Sequence, residues 1–167
     1  MTISHASTAK AIEGRMLTFD IGSEAFAIRA DCVREILEVP HITQVPGAPA
    51  FINALINVRG TVAPLTDLRI PFLLDATTHN EDTRVIVIEE LIEGVRETLA
   101  ILADKVNDVC ELDGGQVEQA PAIGTRWRPE LIEGIGRKGD RFVIVPDIAR
   151  IVGEFSCCAE NTPATRF

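Results

Sequence analysis

Few residues in this 167-residue chain have the type and spacing that chemistry requires. Gly134, Gly136 and Gly139 fit G-x-G-x-x-G, the spacing that lets a backbone approach a pyrophosphate. That fingerprint needs a strand before it and a helix after it. Here Asp140–Val145 reads as a strand and no βαβ unit surrounds it, so Gly134 and Gly136 are expected to serve a hairpin and close packing. Ser23 falls in a turn signal, Ser4 and Ser156 lie near the ends, and none stands in a G-x-S-x-G elbow. The adjacent carboxylates Glu89 and Glu90 would face opposite sides of a strand, which suits solubility better than acid–base catalysis. Cys32 and Cys110 are isolated in apolar-patterned segments, Cys157 and Cys158 are adjacent, and there is no C-x-x-C. His5, His41 and His79 stand far apart, so the spacing does not describe a zinc site. The expectation is a protein with no catalytic residue, no metal and no cofactor. Trp127, flanked by Arg126 and Arg128, reads equally well as an interface anchor or as a buried plug.

The elements that would position these residues are mostly strands. Nineteen Ile and fourteen Val make up about a fifth of the chain, and β-branched aliphatics suit a pleated surface. Leu17, Phe19 and Ile21 alternate with polar residues, and Gly22-Ser23-Glu24 turns the chain into Ala25–Ile28, which reads as a hairpin. Asp31 stands at an N-cap position, and Val33, Ile36 and Leu37 follow at i, i+3 and i+4, which predicts a short helix ended by Pro40. Leu55–Leu68 reads as two strands around Arg59-Gly60, with Gly60 allowing a positive φ. Pro64 cannot donate to a ladder, so its strand should be an edge or bulged there. Further strands are expected over Arg84–Leu91 and Thr98–Leu112, the second bent near Asp104-Lys105. A strand–turn–strand around Gly139 leads to a second short helix opened by Asp147, with Ile148, Ile151 and Val152 on one face. Residues 1–14 and 155–167 read as tails. Eight to ten short strands and two short helices define a mainly β, barrel-like protein.

Composition narrows the partners. Sixteen basic against twenty-five acidic residues give a net charge of −9, which repels phosphate backbones and anionic lipid. Neither nucleic-acid binding nor membrane insertion is expected. The longest strictly apolar run, Leu99–Ala103, is five residues, far from the ~20 that span a bilayer. With no apolar leader at the N-terminus, the thiols are expected to be reduced, in a cytoplasmic protein.

One segment stands out: Phe51-Ile52-Asn53-Ala54-Leu55-Ile56-Asn57-Val58-Arg59-Gly60-Thr61-Val62-Ala63-Pro64-Leu65-Thr66-Asp67-Leu68-Arg69. It resembles the GxxNLRGxVxPVxDLR signature of CheW, the coupling proteins of bacterial chemotaxis. Val33-Arg34-Glu35-Ile36, Val106-Asn107-Asp108-Val109 and Glu133-Gly134-Ile135-Gly136 support the resemblance in the right order, from about Met16 to Val152. The family commonly has Gly where Ala54 stands. If that position needed a positive φ, Ala would be strained by about 1–2 kcal/mol. The charged stretch Glu89–Glu97 departs from the family and would lengthen a hairpin.

The resemblance implies two intertwined, five-stranded, SH3-like β-barrels over residues 15–154. It implies a non-catalytic adaptor that links the cytoplasmic domain of methyl-accepting chemoreceptors to a CheA-like histidine kinase, recruited to receptor arrays at the inner membrane. Carried over by position, it suggests an interface of Val33, Glu35, Ile36, Ala54, Asn57 and Arg59, with Glu35 and Arg59 close together although 24 positions apart. Val33 and Ile36 could equally be core. Arg59 and Asp67 could equally be hairpin structure, like Gly60, Pro64, Gly134 and Gly136. Two other readings stay open: a CheW-domain adaptor of a non-flagellar kinase array, for twitching motility or development, and a small β-barrel ligand binder.

Overall fold

The computed structural model describes residues 14–118 and 128–157. Trp127, Cys158 and the Cys157 thiol lie outside the described residues, as do residues 1–13. Along the chain run β1 (Met16–Ile21), β2 (Glu24–Arg29), β3 (Val33–Glu38), β4 (Ile42–Gln44), β5 (Ala54–Val58) and β6 (Thr61–Thr66). They are followed by β7 (Arg84–Ile92), β8 (Val95–Ala103), β9 (Lys105–Cys110), β10 (Asp113–Glu118), β11 (Ile132–Lys138), β12 (Arg141–Pro146) and α1 (Ile148–Cys157). The strands form two six-stranded sheets, ordered β10-β11-β12-β2-β1-β9 and β3-β7-β8-β6-β5-β4. Each has one strand more than expected, because the short β4 and β10 join in. The chain leaves the first sheet through a 3-10 turn at Ala30–Cys32 and returns at Asp104. The first hairpin and the last four strands therefore build one lobe, and the middle six strands the other.

Why the apolar runs are continuous follows from this layout. In β7 and β8, Val85, Val87, Ala100 and Leu102 face the interior of the second lobe with Ala54, Ile56, Val58, Ala63 and Leu65. The alternate residues Ile86, Ile88, Leu99 and Ile101 join a core shared with Phe19, Phe26, Phe72 and Ile151. Both faces of the hairpin are buried, so no polar alternation survives. In the first lobe, Met16, Ala25, Ala27, Val143 and Val145 form a smaller interior. Phe19 stacks on Phe26 with centroids 5.8 Å apart, and Phe26 meets the Phe72 ring edge-on at 5.2 Å.

The predicted helix at 33–37 is a strand. Val33, Glu35 and Leu37 are half-buried while Arg34, Ile36 and Glu38 are exposed, a period of two. Apolar residues at 33, 36 and 37 satisfy either period over so short a run. Pro40 leaves room for fewer than two turns, a length at which a helix is marginal. Pairing with β7 supplies the ladder instead. The second helix forms as expected: Asp147 Oδ1 accepts the Arg150 N–H at 3.1 Å, and Ile148, Ile151 and Val152 are buried. It runs on to Cys157, and the Phe155 ring packs 5.7 Å from that of Phe51. The chain is thus still structured where a tail was expected.

The β5–β6 hairpin has the expected two-residue turn. Arg59 and Gly60 both have positive φ, +50° and +85°, as a type I′ turn demands, and Asn57 Oδ1 accepts the Gly60 N–H at 2.8 Å. Strand β8 joins β6 only from Leu65 onward, so Pro64 sits where β6 has β5 as its partner. Ala54 is not among the residues with positive φ. It is an inward strand residue, and close packing is what its small size serves. The charged stretch lies at the tip of a hairpin: β7 and β8 are nine residues each and turn at Glu93-Gly94.

Candidate functional site

Glu35 and Arg59 meet. Arg59 Nε lies 3.3 Å from Glu35 Oε2 and 3.4 Å from Oε1. Glu35 stands on β3, one edge of the second sheet, and Arg59 on the turn beside the far edge, so the pair spans the seam where the sheet curls on itself. The Arg59 side chain is 83% exposed, and a pair so open to water contributes only about 0–1 kcal/mol to folding. Two aliphatics nearby in the chain are exposed: Ile36, on the other face of β3 from Glu35, at 42%, and Val62, opposite Asn57, at 62%. Asn57 is exposed, and Val33 is half-buried against the shared core. Ala54 is buried in the second lobe. The β5–β6 turn thus presents an exposed cation paired with an edge-strand carboxylate.

Past the other end of β6 from the Arg59 turn lies a network that sequence reasoning missed. Arg69 is buried, and its guanidinium pairs with Asp104, donates to Thr77 Oγ1 at 2.6 Å and lies 3.4 Å from Asp67 Oδ1. Asp67 Oδ1 also accepts the Arg69 N–H at 3.0 Å, and the Asp67 N–H donates to the Phe51 carbonyl at 3.0 Å. Asp104 in turn accepts the Gly22 N–H at 2.6 Å, and its own N–H donates to the Asp20 carbonyl at 2.9 Å. Arg69 thus ties the end of β6 to the crossover between lobes. The only signal in the sequence was its place after Asp67-Leu68.

The glycine motif is a hairpin. Gly134 and Gly136 lie in β11, and Gly139 turns it into β12 with φ +61°. A Cβ on Gly136 would stand 2.5 Å from Leu112 Cδ1, so any side chain there must push Leu112 aside.

A cleft of about 360 Å³ opens where the end of β2 meets β7 and β11. Arg29 pairs with Glu133 at 3.1 Å, and Glu89 pairs with Arg96 at 3.1 Å and with Arg34. Hydrogen bonds from Arg96 and then Arg34 hold the Glu89 carboxyl below its ordinary range. Burial, then the charge of Glu133, pushes the Glu90 carboxyl up. Cys32 is half-buried rather than fully buried as its apolar setting suggested, and so is Cys110. Its thiol donates to the Arg29 carbonyl at 2.9 Å. Burial first, then Glu90, pushes that thiol up to about 12, so it stays protonated and is no nucleophile at neutral pH. Among the described residues no group of three or more His, Cys, Asp or Glu is placed to hold a metal ion, and no helix is long and apolar enough to cross a membrane.

Two curled six-stranded sheets sharing one core define the chain as a two-lobed β protein. Residues 15–155 match the CheW-like domain, and the chain belongs to that family, the CheW adaptors of chemotaxis. It is 32% identical over 136 residues to the chemotaxis protein CheW of Klebsiella aerogenes, covering 81% of this chain and 80% of that one. The chemotaxis protein CheW of Treponema pallidum is 26% identical over 153 residues, 90% of each chain. The crystal structure of scaffolding protein TtCheW from Thermoanaerobacter tengcongensis superposes with a TM-score of 0.71 at 27% identity, covering 80% of this chain and 84% of that one.

Proposed function

We propose that this protein is a non-catalytic adaptor that couples the cytoplasmic tips of methyl-accepting chemoreceptors to a CheA-like histidine kinase, in the cytoplasm, at receptor arrays on the inner membrane. The observation that carries the reading is the exposed Glu35–Arg59 pair at the β5–β6 turn, on a chain of the CheW-like family. A polar residue of a receptor helix can meet that pair. The net charge of −9 supports protein partners over nucleic acid or anionic lipid.

The test is assembly. The full chain is mixed with a CheA-type kinase and a soluble chemoreceptor cytoplasmic fragment from the same organism, and the mixture is resolved by size. A ternary complex that needs this chain is expected. Kinase and receptor fragment eluting separately from it, at concentrations where each is folded, would contradict the reading.

A further inference from the structure

The interiors of the two lobes are filled differently. Ile56, Val58, Leu65, Val87 and Leu102 pack the second with aliphatic side chains. The first holds Met16, Ala25, Ala27, Val143 and Val145, and opposite Val143 and Val145 stand Gly136 and Gly134, which bring no side chain. Paired residues share a face of the sheet and successive residues alternate. The register therefore fixes what continues this inner face toward the Gly139 turn. Asp20 is opposite the buried Ala25 on one side and Lys105 on the other. Arg141 stands two residues before Val143 and opposite Lys138. Thr18, buried two residues after Met16, reaches Asp108 where the β1–β9 register shifts. The inner face of the first lobe thus ends in charge.

A cleft of about 530 Å³ opens there, and its lining includes Thr18, Lys105, Asn107, Asp108, Lys138 and Arg141. Asp108 pairs with Lys138 and accepts the Thr18 hydroxyl at 2.8 Å. Asp20 Oδ1 lies 3.1 Å from an Arg141 nitrogen. Among the described residues the Lys105 side chain has no counter-ion. Three cations against two carboxylates leave the mouth positive, on a chain whose net charge is −9. A surplus cation in a concave wall focuses its field and attracts an anion. Donors are in excess as well, since an ammonium carries three N–H groups and a guanidinium five.

We propose that the mouth of the first lobe binds a small multivalent oxyanion, a phosphate or carboxylate group, on Lys105, with Lys138, Arg141 and the Asn107 side-chain amide supplying further donors. The positive charge is confined to one cleft and the rest of the chain is acidic, which suits a small anion and repels a polyanion or an anionic membrane. The site lies on the other lobe from the Glu35–Arg59 pair and does not depend on the adaptor reading.

The experiment titrates the full chain with inorganic phosphate and, separately, with citrate, at fixed pH and ionic strength, with backbone amide shifts as the readout. A saturable change centred on Lys105, Asn107 and Lys138 is expected with at least one of the two, and the tighter arm names the group as phosphate or carboxylate. Chloride at the same ionic strength should not produce it. Lys105→Ala, on an exposed side chain outside any ion pair among the described residues, should weaken binding by at least about fivefold. Lys105→Gln, which keeps most of the stem, gives the same weakening should the alanine variant be unstable. Asp108→Asn should act in the opposite direction and tighten binding, because Lys138 loses its counter-charge. No saturable change, a change that chloride reproduces, or one that both Lys105 variants leave intact overturns the site. Weaker binding in a folded Asp108→Asn chain overturns it too.

Discussion

Arg59 and Arg69 lie ten positions apart in one motif and play opposite parts. Arg59 is open to water and free to meet a partner, whereas Arg69 is sealed beneath the surface with Asp104 as its counter-charge. Removing one member of a buried pair strands the other. Asp104→Ala is therefore expected to cost about 3 kcal/mol of stability, and Arg59→Ala no more than about 1 kcal/mol. Denaturant midpoints of the two variants check this, and equal losses would refute the division. Glu90 makes a second case. Burial and Glu133 raise its carboxyl in the folded state, so the folded chain holds the proton more tightly than the unfolded one. The stability this adds is full below the ordinary glutamate range and is lost as pH rises through the raised value. Glu90→Gln should therefore raise the melting temperature at neutral pH and flatten that decline. A lower melting temperature for the variant at pH 7 would be the wrong sign.

At the scale of elements, legibility followed length and punctuation. The β1–β2 hairpin, the Arg59-Gly60 turn, the break at Asp104 and the Asp147 cap were readable because a glycine, a proline or a capping side chain fixes each locally. The strand at Val33–Glu38 was not, because six residues before a proline fit both periods and the decision lies in pairing with β7, fifty residues on. The Arg69–Asp104 pair was illegible for the same reason, since its partners stand 35 positions apart. The buried position of Ala54 needed the direction of its side chain, which the motif does not carry. The glycine run in β11 was read correctly as packing, and it yields a sharp test. Gly136→Ala must push Leu112 aside; because the nearest atom is the free end of a flexible side chain, the cost should be about 1 kcal/mol. Thermal unfolding measures it. A loss well above 3 kcal/mol would mean that Leu112 cannot move.

At the scale of the molecule, the second lobe is one stretch of chain, β3 to β8, and the first is not. The first is closed by strands from both ends of the sequence, and the shared core holds side chains from both sheets. This interleaving fixes the two lobes against each other. Such rigidity suits a scaffold of the CheW-like family.

The most direct measurement of the central claim is kinase output in a reconstituted mixture of the chain, a CheA-type kinase and a chemoreceptor cytoplasmic fragment. Titrating the unaltered chain should raise receptor-dependent kinase activity. Arg59→Ala, folded to within about 1 kcal/mol of the unaltered protein, should need at least about fivefold more chain to reach the same activity. A double-mutant cycle with Glu35 then separates the ion pair from the turn. Kinase activity indifferent to the chain, or an Arg59→Ala titration that overlays the unaltered one, would contradict the account.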